Sequence, residues 1–214
     1  LEVFPYYTLT ELFPQLENHH LDLIAAGISV TPERTAQFRF GPAYQDVSQK
    51  LVFKQGGERP RKVADLDGSL TIISGSSHAE TLRGAKTEVS DLVWQETDEK
   101  DTEELLEMVL AGELDYTVAD SNILAVIRRR HPELSIGFTL TDEQGIAWAL
   151  NKDQDDSLLA ALIEYFGIIK ADGRLAALED KYFGHVRQFN YVDTREFIKS
   201  AQRTLPTYRP WFEE

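Results

Sequence analysis

Short apolar runs alternate with helical segments along most of this 214-residue chain, and this alternation restricts the possible folds more than any other feature. The clearest runs predict strands at LDLIA (21–25), QKLVFK (49–54), LTIIS (70–74), DYTVA (115–119), IGFTL (136–140) and GIAWAL (145–150). Helical patterns lie between them, such as 101–112, where Leu105, Leu106 and Val109 recur at helical spacing. The alternation predicts an α/β fold with parallel-rich sheets.

The series of strands and helices is interrupted twice, which predicts two lobes joined by two crossovers. The segment QGGERPR (55–61) combines glycine, proline and charged residues, as a linker or hinge does, and a second interruption falls near 141–146. Because open parallel sheets bind ligands beyond the carboxyl ends of their strands, a ligand is expected in the cleft between the lobes. The predicted domains are a first lobe of 1–54 plus 147–184, a second lobe of 55–146, and a connector of 185–214.

Charge and composition restrict the class of partner. The formal net charge of -14 repels nucleic acids and anionic membrane surfaces, so a small molecule or a protein is the expected partner. The chain has no cysteine, which excludes disulfides and thiolate metal sites. His19 and His20 are adjacent and point to different sides in either regular structure, so neither a metal nor a cofactor is predicted.

Three segments share one pattern, in which an apolar strand is followed by a small or polar loop and then by the start of a helix. They are LDLIAAGISVTPER, LTIISGSSHAE and DYTVADSN. Arg34 falls in the first turn of a predicted helix, where a cation costs about 0.3–1 kcal/mol unless a negative group joins it. We therefore expect a ligand carboxylate at Arg34. The candidate ligand-binding residues are Gly27, Ser29, Arg34, Ser76, Ser77 and Asp120.

The chemistry of these residue types suits a small zwitterion. A guanidinium binds a carboxylate bidentately, and the N-terminus of the helix at Ser77 adds N–H and hydroxyl donors to the same anion. Asp120 is able to accept from an ammonium group. Structural explanations remain open for each residue: Arg34 could be solvated beside Glu33, Ser77 could form a capping box with Glu80, and Asp120 could be a helix N-cap.

The motifs resemble those of a known family. GISVTPERTAQFRFGPAY resembles the "aG…iTpeR…f…pY" signature of the periplasmic amino-acid-binding proteins of ABC transporters, solute-binding family 3. LTIISGSSHAETL, GELDYTVADSN and GRLAALEDKYFG are similar to later motifs of that family, so the likeness covers about residues 1 to 184. It implies a two-lobed, periplasmic-binding-protein-like (type II) fold.

The resemblance also implies roles for the candidate residues. Gly27, Ser29 and Arg34 would bind the α-carboxylate of an amino acid from the first lobe. Ser77, with Ser76 beside it, would contact the same group from the second lobe, and Asp120 would hold the α-amino group. The chain departs from the family pattern at Gly41 and His78, and it lacks the family's first strand. We therefore expect a first lobe truncated at the N-terminus, in a fragment of a longer polypeptide.

A narrower resemblance points to cell-wall enzymes. DYTVADS, HPELS, TDEQ, DKYFGH and FNYVDTREF resemble the N-terminal module of membrane-bound lytic murein transglycosylases. This implies a covalently attached catalytic domain that cleaves peptidoglycan, on the periplasmic side of a Gram-negative envelope and associated with the outer membrane. The catalytic acid of that class is usually a Glu followed by Ser. No Glu-Ser dipeptide occurs in this sequence, so no catalytic residue is predicted in it.

Three functions remain open on this reading. The chain could be a regulatory module that senses an amino acid or a muropeptide stem peptide and alters an attached transglycosylase. It could instead be the amino-acid-binding receptor of an ABC transporter, although the predicted connector argues against that. It could also be a structural arm with an empty cleft.

Overall fold

The computed structural model of the chain describes residues 2–184, so the predicted connector at 185–214 lies outside the described residues. The chain divides into two compact units, Leu1–Asp172 and Gly173–Glu214. The larger unit contains both predicted lobes except residues 173–184 of the first. The described part of the smaller unit consists of a short α-helix followed by a π-helical turn.

Short helices and strands alternate along the chain, as the sequence predicts. The helices are α1 (Leu9–Glu17), α2 (Pro32–Gln37), α3 (Ser77–Lys86), α4 (Thr102–Ala111), α5 (Ser121–Ile127), α6 (Asp156–Ala171) and α7 (Arg174–Glu179). The strands are β1 (Leu23–Ser29), β2 (Phe38–Phe40), β3 (Gln45–Val47), β4 (Gln49–Lys54), β5 (Thr71–Ile73), β6 (Gln95–Thr97), β7 (Tyr116–Asp120), β8 (Leu134–Thr139) and β9 (Gln144–Asn151). Each run named above as a strand overlaps an observed strand, and β4 has the predicted bounds.

The sheet of the first lobe is built around β9. Strands β1, β2 and β3 all pair with β9, and all three pairings are antiparallel. Ser29, the last residue of β1, is opposite Ile146 near the start of β9, which fixes one end of the predicted site. The buried core of this lobe joins α1 to the sheet through Leu16, Ile24, Ile28, Phe38 and Ala149.

The sheet of the second lobe is built around β4, with helices on both faces. Strands β7 and β8 pair with β4 on either side, and β5 pairs with β6 next to them. Successive residues of a strand face opposite sides. Leu51 accordingly packs with Leu82 of α3, and Val52 packs with Leu105 and Leu106 of α4. The predicted apolar stripe of the helix at 101–112 is thus buried on the sheet.

The strand directions correct the expectation of parallel-rich sheets. Among residues 2–184, five of the six strand pairings are antiparallel, and only β5 with β6 is parallel. The reason is the position of the two strands that follow the crossovers. Strands β4 and β9 begin where the lobes meet, whereas β1 and β7 end there with Ser29 and Asp120. A central strand that begins at the cleft runs against neighbours that end at it.

The lobe boundaries also need correction. The sequence predicts residues 49–54 in the first lobe, but β4 pairs with strands of the second lobe, so the chain crosses at Ser48. Residues 144–146 belong to β9 and thus to the first sheet. The segment 147–184 spans the division between the two compact units. Gly173 lies at that division with φ 80°, a left-handed conformation that L side chains rarely adopt, and it interrupts the helical path between α6 and α7.

Candidate functional site

The strand ends that were predicted to share a ligand come together where the two lobes meet. Oγ of Ser77 donates to Oγ of Ser29 at 3.4 Å, which joins the N-terminus of α3 to the end of β1. Nη2 of Arg34 donates to the carbonyl oxygen of Gly75 at 3.0 Å. Gly75 has φ 65°, the left-handed conformation that glycine adopts readily, and this turn presents its carbonyl to the guanidinium.

Arg34 is buried between the lobes and its guanidinium is held on three nitrogens. Only 6% of the residue is exposed. Nε donates to Oε1 of Glu80 at 2.9 Å, and Nη1 donates to the carbonyl oxygen of Ser29 at 3.1 Å, in addition to the bond from Nη2 to Gly75. The guanidinium also lies over the ring of Phe13, 5.0 Å from its centroid, which is a cation–π contact.

The environment of Arg34 excludes the structural alternative, in which its guanidinium is solvated beside Glu33. Burial lowers the pKa of the Arg34 guanidinium, because it removes water from the charged form. The carboxylates of Glu80, Asp120 and Glu33 oppose that change in pKa by stabilising the positive charge. Arg34 therefore lies within electrostatic reach of Asp120, the residue predicted to bind the other end of the ligand.

The N-cap of α3 is Ser76, not Ser77. Ser76 has extended backbone angles, and its Oγ accepts from the backbone N–H of Ala79 at 3.4 Å while donating to the carbonyl oxygen of Ile73. Ser77 begins the helix and turns its hydroxyl toward Ser29 instead. Glu80, the predicted partner of a capping box, contacts Arg34. The cap interpretation of Ser77 is therefore wrong, and its hydroxyl faces the other lobe.

Replacing the cap residue should lower stability more than replacing its neighbour. Ser76→Ala removes the hydroxyl that accepts from the Ala79 N–H and donates to the Ile73 carbonyl, and it is expected to lower the free energy of unfolding by about 1 kcal/mol. Ser77→Ala removes only a long hydroxyl contact and serves as the matched control, with a smaller loss. Urea unfolding followed by circular dichroism measures both. An equal or larger loss for Ser77→Ala would contradict the cap assignment.

Asp120 ends β7 and joins the site through His78. Asp120 takes the N-cap position of α5 by its backbone conformation, as one of the alternatives predicted. Its side chain makes no capping hydrogen bond to that helix. Oδ1 of Asp120 instead lies 3.2 Å from Nε2 of His78, and the Asp120 side chain is 14% exposed. His78 is buried, and its Nδ1 has no hydrogen-bond partner among the described residues.

Gly27 is the candidate residue that the structure does not bring into this group of contacts. It lies in β1 between Ile24 and Ile28, where the pairing with β9 is irregular, and it is exposed. Nothing lies within 4 Å of the place that a Cβ would take. Its predicted contact with a ligand through the backbone stays a prediction.

Glu80 and His78 are site residues to which the sequence analysis gave no binding role. A signal for Glu80 was present, because residues three apart lie on the same face of a helix. If Ser77 faces the first lobe, Glu80 one turn later must face it too. His78 gave no such signal, since its partner Asp120 lies 42 residues away in sequence and only the fold brings them together.

Two further contacts join the lobes beside the site. Oγ1 of Thr10 in α1 donates to Oδ1 of Asp98 at 2.9 Å. Arg83 of α3 lies 3.7 Å from Glu33 of α2 at an exposed position. Both contacts join a residue of the first lobe to a residue of the second.

A second concave region lies at the other end of β4. It is a cavity of about 810 Å³, lined by residues 53–61 and by groups that include Asp67, Asp115 and Tyr116. Burial raises the pKa of Tyr116 to about 12, and a hydrogen bond to Asp67 adds to this. The segment at 55–61, predicted as a hinge, lines this cavity within the second lobe. It does not connect the lobes, because the crossing falls before β4.

Residues 2–184 contain neither a cluster of metal ligands nor a helix that could span a membrane. These residues contain no group of three or more histidine, aspartate or glutamate side chains that could hold a metal ion. No helix within the same range is long and apolar enough to cross a membrane.

Sequence comparisons give a family and a set of relatives. The model of the bacterial extracellular solute-binding proteins, family 3, matches residues 2–185. The membrane-bound lytic murein transglycosylase F of Pseudoalteromonas translucida is 51% identical over 214 residues, which are 100% of this chain and 46% of that protein. The chain thus spans about half the length of the curated relatives that it matches.

Structural comparisons give the same fold at lower identity. An ancestral arginine-binding protein bound to arginine superposes with a TM-score of 0.73 at 21% identity, over 85% of this chain and 80% of that one. A histidine kinase sensor domain with similarity to periplasmic binding proteins gives a TM-score of 0.69 at 23% identity, over 83% and 76%. Both likenesses support the two-lobed fold. The chain belongs to the bacterial extracellular solute-binding proteins of family 3.

Proposed function

We propose that this chain is a regulatory ligand-binding module that binds the α-carboxylate and α-ammonium groups of an amino acid or of a peptide derived from the cell wall. One observation carries the proposal. Arg34 is a buried cation, Asp120 is a mostly buried carboxylate of the other lobe, and the Asp120 carboxylate stabilises the positive charge of Arg34. A small solute with two opposite charges is complementary to that pair.

The family resemblance implies the residue roles, and the contacts of Ser29, Arg34, Ser77 and Asp120 are compatible with them. Arg34, Ser29 and the backbone at Gly27 bind the carboxylate from the first lobe, and Ser77 binds it from the second. Ser76 contributes by holding the N-terminus of α3 in place, because its own hydroxyl is used in the cap. Asp120 accepts from the ammonium group. Hydrogen bonds to charged groups contribute about 1.5–3 kcal/mol each, so four or five are sufficient for micromolar affinity after the cost of association.

The relatives support a role beside a cell-wall enzyme. We propose that the parent protein carries a catalytic domain that cleaves glycan strands of peptidoglycan without hydrolysis, on the periplasmic side of the envelope and at the outer membrane. The names of the relatives and the share of their length that this chain leaves uncovered support this. Ligand binding would alter the activity of that domain through a coupling free energy, which is necessarily reciprocal.

A ligand panel tests the proposal. Common L-amino acids, short peptides and a muropeptide stem peptide are each added to the purified protein, and thermal unfolding and calorimetry are measured. A binding solute is expected to raise the melting temperature and to give a dissociation constant near micromolar, about −8 kcal/mol. A ligand that also changes glycan cleavage by the full-length parent supports regulation. Binding without any such change would favour a transport receptor, and no binding at all would favour a structural arm.

A further inference from the structure

We infer that Glu80 is an internal carboxylate that occupies Arg34 in the absence of ligand, so that a solute displaces it only when it carries an ammonium group as well as a carboxylate. The inference rests on the proposed function and deepens it, because it assigns to Glu80 the selection of the ligand class. It concerns one residue of α3 for which sequence reasoning gave only a capping role.

The contact between Arg34 and Glu80 resembles the contact expected with a ligand. Oε1 of Glu80 lies 2.9 Å from Nε of Arg34, and the two side chains are 14% and 7% exposed. A guanidinium has five N–H donors, of which Glu80, the Ser29 carbonyl and the Gly75 carbonyl engage three. A ligand carboxylate at Arg34 would lie close to the Glu80 carboxylate, and because like charges repel, the two compete for the guanidinium.

The charges at the site are not balanced, and the imbalance favours an ammonium group. Arg34 contributes +1, and Glu80 and Asp120 contribute −1 each, so the three together carry a charge of −1. His78 contacts Asp120 but carries charge only when it is protonated. An ammonium group that binds Asp120 would therefore replace His78, which is the weaker partner. A carboxylate that binds Arg34 must replace Glu80, which is charged.

A lone anion is at a disadvantage in this arrangement. Glu80 is tethered to the site, so its local concentration at Arg34 is of the order of millimolar or more. A simple carboxylate must exceed that concentration and leaves Glu80 without its buried partner. A zwitterion gains the contact with Asp120 at the same time, which offsets the displacement. The site thus discriminates between solutes that have one charged end and those that have both.

The substitution Glu80→Gln tests the inference because it removes the charge and keeps the shape. Glu88→Gln, at an exposed position just after α3, is the matched control. Acetate serves as the lone carboxylate, and L-alanine, L-glutamine and L-arginine serve as zwitterions. Calorimetry gives affinities, and the NMR signal of the Arg34 Nε–H reports the contact directly. We expect Glu80→Gln to bind acetate and at least one amino acid about tenfold or more tightly than the unaltered protein, since the tethered competitor is lost.

Each outcome decides the inference. Equal or weaker binding by Glu80→Gln would overturn it and would make Glu80 a positioning residue for Arg34. If none of the three amino acids binds to either protein, these probes count against the proposed function, and the acetate titration alone then judges the inference. In the unaltered protein, a binding amino acid should shift the Arg34 Nε–H signal at a concentration where acetate does not. An acetate shift equal to that of the amino acid would contradict displacement even if Glu80→Gln did not fold.

Discussion

Arg34→Met is expected to remove amino-acid binding and to lower the free energy of unfolding by about 3–5 kcal/mol, the usual cost of breaking a buried ion pair by removal of one partner. Methionine keeps an unbranched apolar stem over the ring of Phe13, so the loss of packing is small. The loss arises because Glu80 keeps its charge at a mostly buried position without the guanidinium. Two carbonyl oxygens, of Ser29 and Gly75, lose their donors as well.

A control and a double variant separate this pair from general effects of losing an arginine. Arg39 pairs with Asp156, whose side chain is 89% exposed, so Arg39→Met should cost about 1 kcal/mol or less. Arg34→Met combined with Glu80→Met removes both charges and should recover part of the stability, because neither is then left unpaired. Urea unfolding measures five proteins, which are the unaltered protein, these three variants and the single variant Glu80→Met that the comparison of single and double losses needs. Strictly additive losses in the double variant would show that the two side chains are not coupled in solution.

The regular elements were predictable because they depend on short-range patterns. The bounds of β4 follow from the apolar run Leu51, Val52 and Phe53 between polar residues, with a serine before the strand and two glycines shortly after it. The buried face of α4 follows from helical spacing, and Leu105, Leu106 and Val109 are indeed among the most buried residues. These features need no knowledge of what lies across the sheet.

The strand directions and the cap were not predictable in the same way. Whether β4 pairs with β7 depends on where the chain crosses between lobes, and the same local sequence fits either lobe. Ser76 and Ser77 are both acceptable N-cap residues, and one residue of offset decides which hydroxyl faces Ser29. The turn at Gly75 determines which of the two serines is the N-cap, and its φ of 65° depends on the tertiary structure.

The sequence singled out the two charges of the candidate site, Arg34 and Asp120, but not the side chains that contact them. Arg34 and Asp120 stand out because a cation in a first helical turn and a carboxylate after a strand are locally unusual. Their partners Glu80 and His78 are ordinary helix residues in sequence, and only the approach of the two lobes gives them a role. The sequence therefore predicted Arg34 and Asp120 as candidate binding residues, and the structure shows that side chains of α3 contact both.

Asp120→Asn is expected to weaken amino-acid binding by about tenfold to a hundredfold, which corresponds to a charged hydrogen bond of about 1.5–3 kcal/mol. Asparagine has the same shape and keeps an oxygen that can accept from His78 or from a ligand, but it lacks the negative charge that holds an ammonium group. Its effect on stability should be small, because the contact with His78 is the one side-chain contact observed for Asp120 among the described residues.

Asp98→Asn is the matched control for this charge. Asp98 lies in the second lobe and accepts from Thr10 of the first, so it also joins the lobes, but it is exposed and contacts neither Arg34 nor His78 in the structure. Calorimetry with any solute that binds the unaltered protein should show little change for Asp98→Asn. Asp120→Asn and Glu80→Gln should act in opposite directions, because one removes a charge that attracts the ligand and the other removes a charge that competes with it. An unchanged affinity in Asp120→Asn would mean that the ammonium group binds elsewhere, and the imbalance of charge at Arg34 would then have no part in selecting the ligand.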